Sequence, residues 1–242
     1  MKLDNLLIRM SPNTLKKGSV YALVNAFQLY GDGLIMDSLE RIPRAYSLTK
    51  LSFEEAGKAI MLYELYLLKK MKLPDLEHSK RFKLITESLE DHNPKTEYGL
   101  RFLITKENEF IKSHPVKQAE DSPLYKSIED LEELITKIKR LDSKKNTSLY
   151  TSIIDNKYLP PVFSTSKEDI TEIIHRTYQL LVRAKQTIMK DDDEYYESIG
   201  LDRNIKEKMD PNLEAKNMHK LIVGYQSNNE SIRRKFPNIN FD

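Results

Sequence analysis

Apolar residues in this chain recur at steps of three and four, the period of helices that bury one face. The first such stripe runs from about Asn13 to Met36 and carries Val20, Leu23, Phe27, Tyr30 and Leu34. Ala22 and Ala26 lie beside it, small enough to admit a second helix at close range. A longer segment, from about Pro43 to Met71, places Ala45, Leu48, Ala56, Ala59, Ile60, Tyr63 and Leu67 on one side and ends before Pro74. A third, about Asp75 to Asp91, carries Leu76, Phe82, Ile85 and Leu89, and is expected to stop near His92 because Pro94 disfavours helical geometry at Asn93. A fourth, about Thr96 to Ser113, is less regular, with Tyr98, Phe102, Leu103 and Phe110. Ser122 and Pro123 form an N-cap and first-turn pair for a helix in which Leu124, Ile128, Leu131, Ile135 and Ile138 step by four and three.

Between 146 and 164 the texture changes to β-branched and aromatic residues, with a Pro160-Pro161 pair that no helix interior tolerates. This stretch predicts an ordered, extended connection. Ser166 and Asp169 then set a capping box for a helix with Ile170, Ile173, Ile174, Leu181, Ala184 and Ile188 on its apolar face. That face fades at the acidic run from Asp191 to Glu194, beyond which Asp210-Pro211 starts a short helix with Met218, Leu221, Ile222 and Tyr225. The expected fold is all-α: a helical bundle over 1–190 with an extended loop near 146–165, followed by a charged extension over 191–242.

Composition narrows the function. The 242 residues include no cysteine, which excludes a disulfide framework, a thiolate nucleophile and Cys-based metal sites. The longest charge-free stretch near the start, Gly18 to Gly31, falls short of the roughly 18 to 20 apolar residues that span a bilayer, so no membrane partner is expected. The opening MKLDNLLIRMSPN carries Asp4 and Arg9 and no small-residue cleavage site, which is not a signal-peptide pattern. A cytoplasmic location is expected. With 39 Lys+Arg against 37 Asp+Glu the net charge of +2 neither announces nor dismisses a nucleic-acid partner, since clustering on one face decides that.

Standard catalytic motifs are absent: there is no Gly-rich phosphate loop, no His-Glu-x-x-His and no Gly-x-Ser-x-Gly. The histidines at 78, 92, 114, 175 and 219 are too far apart to place two ligands on one helix face, so neither a metal nor a cofactor is expected. What stands out is a set of polar residues on apolar faces. Glu54-Glu55-Ala56-Gly57-Lys58-Ala59 interrupts the second helix; Glu54 and Lys58 have the spacing of a solvated i,i+4 pair, whereas Glu55 and Lys58 share a face with Leu51 and Leu62 that can point into the bundle. Gly57 costs a helix about 1 kcal/mol and calls for a packing or ligand-access reason. Buried charges need partners, and Asn25, Asp32, His92 and Lys95 are the available ones, with His92 expected at a helix C-terminus, where the dipole favours a cation.

In order and spacing, several of these pieces resemble a family. Ala22-Leu23-x-Asn25-Ala26 with Asp32, then Ala45-x-x-Leu48-x-x-Leu51-x-x-Glu54-Glu55-x-Gly57-Lys58-Ala59, then Asp91-His92-x-x-Lys95, look like the abortive-infection proteins of the AbiV type. Lys145-x-x-x-Leu149-Tyr150, the Pro160-Pro161 turn and the helix opening at Ser166 match the second half of that pattern, so the resemblance covers roughly residues 14 to 190. It implies a bundle related to the HEPN superfamily and a role in bacterial defence against phage. It further implies a homodimer with a composite site, and, because many HEPN proteins are metal-independent ribonucleases, an action on RNA or translation, with a phage-encoded protein expected as trigger or inhibitor. Those enzymes use an Arg and a His separated by four to six residues, and no Arg stands at that spacing before any histidine here.

RNA cleavage would then fall to a different set. It needs a base for the 2′-hydroxyl, an acid for the leaving oxygen and a cation for the phosphorane. In that role His92 is the acid or base, Lys58 and Lys95 the phosphate-facing cations, and Glu55 the orienting or deprotonating group. Asn25, Asp32 and Glu54 support them, and Arg101, Lys145 and Tyr150 are candidates for strand contacts. The rival expectation is a non-enzymatic nucleotide- or protein-binding module whose polar cluster only locks the bundle.

Overall fold

The computed structural model describes residues 3–72, 80–89, 92–113, 132–133, 135, 145, 152–154, 157–159, 165–191 and 193–209. A short helix α1 (Leu3–Arg9) precedes α2 (Pro12–Ser38), which starts where expected: the Ser11 hydroxyl accepts the Thr14 N–H at 3.1 Å and Pro12 occupies the first turn. The stripe Val20, Leu23, Phe27 and Tyr30 is buried, with Ala22 and Ala26 beside it. The helix closes with a six-to-one bond from the Arg41 N–H to the Met36 carbonyl at 2.8 Å and a bond from the Glu40 N–H to the Asp37 carbonyl at 2.9 Å. This Schellman closure requires a left-handed residue, and Glu40 supplies it at φ 57° where glycine is the usual choice.

Helix α3 (Ile42–Lys70) follows after three residues, so it runs back antiparallel along α2. It is the central element, packed against α2, α4 (Lys80–Ser88), α5 (His92–Ser113) and α6 (Lys167–Ile188). Two of its approaches depend on glycine. Gly33 of α2 lies against Thr49 and the Ala45 carbonyl, and Gly57 of α3 lies against the backbone carbonyl of Lys95 in α5. The packing reason that Gly57 called for is therefore this α3–α5 contact.

The expected boundary at His92 is corrected. His92 opens α5 instead of closing the helix before it, because Pro94 falls in the first turn, where its missing N–H has no partner to lose. The helix expected over 75–91 is described over Lys80–Ser88 and buries Phe82 and Ile85. Of the helix expected from Ser122, only residues 132, 133 and 135 are described, and they are helical; the helix expected from Asp210 lies outside the described residues. Within the stretch expected to be extended, Ser152–Ile154 pairs antiparallel with Lys157–Leu159, Ile153 facing Tyr158. Both halves of the capping box at α6 form, Asp169 N–H to Ser166 Oγ at 3.2 Å and Ser166 N–H to Asp169 Oδ2 at 3.1 Å. Among the described residues no helix is long and apolar enough to cross a membrane.

Residues past the acidic run join the same core. Helix α7 (Asp193–Ser198) and two 3-10 turns (Arg203–Ile205 and Glu207–Met209) bury Tyr196, Ile199, Leu201, Ile205 and Met209 against the bundle. They are anchored by Lys16, which is fully buried and donates to the Ile188 carbonyl at 2.6 Å and to Asp191 at 2.8 Å, its ammonium lying over the Tyr63 ring at 4.5 Å. Burial pushes the Lys16 pKa below its usual range despite the opposing pull of Asp191.

Two backbone exchanges should move stability in opposite directions. Gly57→Ala drives a methyl group into the Lys95 carbonyl and should lower unfolding free energy by about 1–3 kcal/mol. Glu40→Gly relieves a left-handed side chain, partly offset by the looser unfolded state, and should raise it by up to about 1 kcal/mol. Denaturant midpoints at unchanged slope measure both.

Candidate functional site

Lys50, Glu54 and Gly57 lie at i, i+4 and i+7 and so share one stripe of α3. Because Gly57 has no side chain, the first turn of α5 comes close enough to set His92 and Thr96 against Lys50 and Glu54. The Lys50 ammonium donates to Glu54 Oε1 at 2.8 Å and to Thr96 Oγ1 at 2.5 Å. Lys145 donates to Glu54 Oε1 at 3.1 Å and Oε2 at 3.4 Å, and His92 Nδ1 lies 2.6 Å from Glu54 Oε2. The Glu54 side chain is only 3% exposed, and the Lys50 and Lys145 side chains are equally sequestered. His92 is different: its side chain is 57% exposed.

Burial works to raise the Glu54 pKa, but the charge and hydrogen bond of Lys50, the charge of Lys145 and the hydrogen bond from His92 outweigh it and hold the carboxyl below its ordinary range. An ionised carboxylate only accepts, so His92 is the donor in their bond through Nδ1–H. A neutral imidazole fixed in that way carries its lone pair on Nε2, the arrangement used wherever a histidine has to exchange a proton at a defined position.

The structure brings together Glu54, His92 and Lys145 from the expected set and separates the others. Glu55 does not join Glu54; its side chain, 23% exposed, forms an i,i+3 pair with Lys58 at 3.2 Å, and Glu54 pairs with Lys50 in place of Lys58. The reason is rotational: Glu54 faces α5 and takes its i−4 neighbour Lys50, while Glu55 lies a further 100° around the helix. Lys95 sits half-buried one turn beyond His92, its backbone against Gly57. Asn25 and Asp32 are exposed on α2 and do not face this cluster. Arg101 is exposed and paired with Glu97 at 2.7 Å, on the far side of the first two turns of α5. Tyr150 lies outside the described residues.

Lys50 and Thr96 escaped the sequence reading. Lys50 carried a usable signal, being four residues before Glu54 on a stripe continued by Gly57 and Met61, both buried. Nothing in the sequence marked Thr96, whose role comes from the α5 register.

Removing the carboxylate strands two buried ammonium groups. Glu54→Gln should therefore destabilise by about 3–5 kcal/mol at neutral pH. Because the Glu54 pKa is depressed on folding, its contribution is present above the ordinary carboxylate value of about 4.5 and disappears as pH falls through the lower folded value. Melting curves between pH 3 and 7 should show the gap between wild type and Glu54→Gln closing in acid; a gap that does not change with pH would contradict this account.

No curated protein and no solved structure matches the chain. A family model described as HEPN_AbiV (AbiV) matches residues 14–182, which span α2 through most of α6 and include Lys50, Glu54, His92 and Lys145. With a helical bundle beneath a match that covers well over half of its length, the chain belongs to the AbiV family of HEPN-like proteins.

Proposed function

We propose that this protein is an effector of abortive infection that acts on RNA through an acid–base pair in which Glu54 orients His92. Membership of the AbiV family points to abortive-infection defence against phage. The finer reading is supported by one observation: an exposed imidazole is tied through Nδ1, at 2.6 Å, to a carboxylate that is itself buried and held ionised. A surface histidine needs no such support for solubility or packing. Lys95 follows His92 by one helical turn and is the cation best placed in sequence to meet a phosphate there. A second copy of the chain completes the site in this reading, in the cytoplasm, and a phage-encoded protein releases the activity.

One observation favours a second reading, a structural lock. Lys50 and Lys145 surround Glu54 so fully that the cluster also serves to join α3, α5 and the segment at 145.

The two readings differ in what His92→Ala does. On the first, cells carrying His92→Ala lose protection in a plaque assay, host RNA stays intact after infection, and any RNA cleavage falls by about 10²- to 10⁴-fold, while the melting temperature stays near that of wild type. Lys95→Ala should show the same pattern with a smaller loss. If His92→Ala protects as well as wild type and lowers only the melting temperature, the cluster is a lock and the catalytic assignment fails.

A further inference from the structure

Two turns beyond His92 along α5, a cleft of about 690 Å³ opens between α3, α4, α5 and the residues Glu132 and Ile135, within the range of small-ligand sites. Its apolar surface comes from Ile60, Ile104 and the ring of Phe102, and its polar wall from Arg101 and Lys106. The Tyr98 ring is fixed in place. Its hydroxyl donates to Glu64, Arg81 bonds Glu64 at 2.5 and 3.0 Å and the Tyr98 hydroxyl at 3.1 Å, and the Arg81 guanidinium lies 5.6 Å from the ring centre. Arg81 is thereby committed to Glu64, and among the described lining residues Arg101 and Lys106 stand beside one further carboxylate, that of Glu132. Arg101 pairs with Glu97 at 2.7 Å, and Lys106 with Glu109 at 2.6 Å while its ammonium lies 5.7 Å from the centre of the Phe102 ring; both ion pairs are of the solvated, same-helix kind that contribute little and exchange readily for a better anion.

Flat aromatic rings, an apolar floor and two exchangeable cations on one helix are the components that bind a nucleotide, the base stacking and the cations meeting phosphate. The position along α5 extends the argument. Lys95, Tyr98, Phe102 and Lys106 recur at three and four residues on one side of the helix that His92 opens, and Phe102 lies about 15 Å along the axis from His92. We infer that this cleft seats one base and phosphate of a single-stranded RNA whose strand continues along α5 toward His92. The inference rests on the reading that the protein acts on RNA, and it places strand binding at Tyr98, Arg101, Phe102 and Lys106, separate from the Glu54–His92 pair.

The test is fluorescence anisotropy of the full chain with a labelled ten-nucleotide oligouridylate and oligoadenylate, across a salt series. Wild type should bind. Phe102→Leu, which keeps apolar bulk and removes the flat ring, should weaken binding at least five-fold at an unchanged melting temperature. Arg101→Ala and Lys106→Ala should each weaken binding and each lower the slope of log affinity against log salt by about 0.7, the mark of one lost phosphate contact. If wild type binds and these three variants bind equally well with equal slopes, the cleft is not the strand site, while the RNA reading stands. If wild type binds neither strand, the RNA reading falls and this inference with it. Displacement of the strand by equimolar AMP would make the cleft a mononucleotide site and overturn the strand assignment.

Discussion

The carboxylate of Glu54 sets the terms for the centre of this bundle. An isolated carboxylate taken out of water costs several kcal/mol even after the protein relaxes, so a Glu54 side chain with almost no exposed surface has to be met by cations and donors with good geometry. Those partners come from three places in the chain: Lys50 one turn earlier in α3, His92 at the start of α5, and Lys145 far along the sequence. Meeting them fixes the rotation of α3 about its axis, the register of α5 against it and the position of the chain at 145. Gly57 makes this possible, because the same close approach that brings the Lys95 carbonyl onto α3 carries His92 and Thr96 to the charges they satisfy.

Elsewhere, buried and half-buried ammonium groups do a related job at helix ends. The last carbonyls of a helix have no partners within it, and this protein supplies lysines from other elements. Lys69 of α3 donates to the Leu7, Ile8 and Met10 carbonyls at the end of α1, and Lys16 of α2 donates to the Ile188 carbonyl at the end of α6. Lys185 of α6 reaches the Lys206 and Met209 carbonyls in the final turns. For Lys16 the burial is complete, and Asp191 with the rings of Tyr63, Tyr66 and Tyr196 offsets the lost hydration. Asp191 belongs to the acidic run whose composition alone suggested a solvated end to the bundle; the structure uses its first member as the counter-ion that docks residues 193–209.

The helices were legible in the sequence where period and caps agreed: the stripe from Val20 to Tyr30, the Ser166 cap, and the face from Ile170 to Ile188 all match the structure, while the Ser11 cap escaped the sequence reading. Polar residues were harder. Lys16 continues the Val20, Leu23, Phe27 stripe four residues earlier, yet a lysine before a helix stripe normally lies in water, and only the tertiary packing of Tyr63 and Tyr196 makes it a core residue. Glu54 and Glu55 are neighbours of equal chemistry, and which one turns inward depends on a helix rotation that side-chain type does not encode. His92 was singled out but assigned to the wrong helix end, since Pro94 is compatible with a helix stopping before it or starting just ahead of it. What the sequence could not carry was the pairing between elements, which arises from long-range register.

One arrangement recurs along the α3–α5 groove and bears on what the groove is for. At Glu54 an α3 carboxylate, held by lysines, accepts a hydrogen bond from the His92 ring of α5; at Glu64 an α3 carboxylate, held by the two-point grip of Arg81, accepts one from the Tyr98 hydroxyl of α5. In each case a cation fixes an anion and the anion fixes a ring. Ten residues of α3 separate the two carboxylates and six of α5 the two rings, so both rings are held on the same rigid element. A bundle stabilised only by apolar packing has no use for two such oriented rings, and at Glu54 the buried charge adds a desolvation cost that leucine would not. Side chains that must meet a ligand at a defined distance benefit from this expense, since their rotamers are set before the ligand arrives. The repeated carboxylate-to-ring pairing is therefore the physical link between the Glu54–His92 pair at the head of α5 and the cleft beyond it.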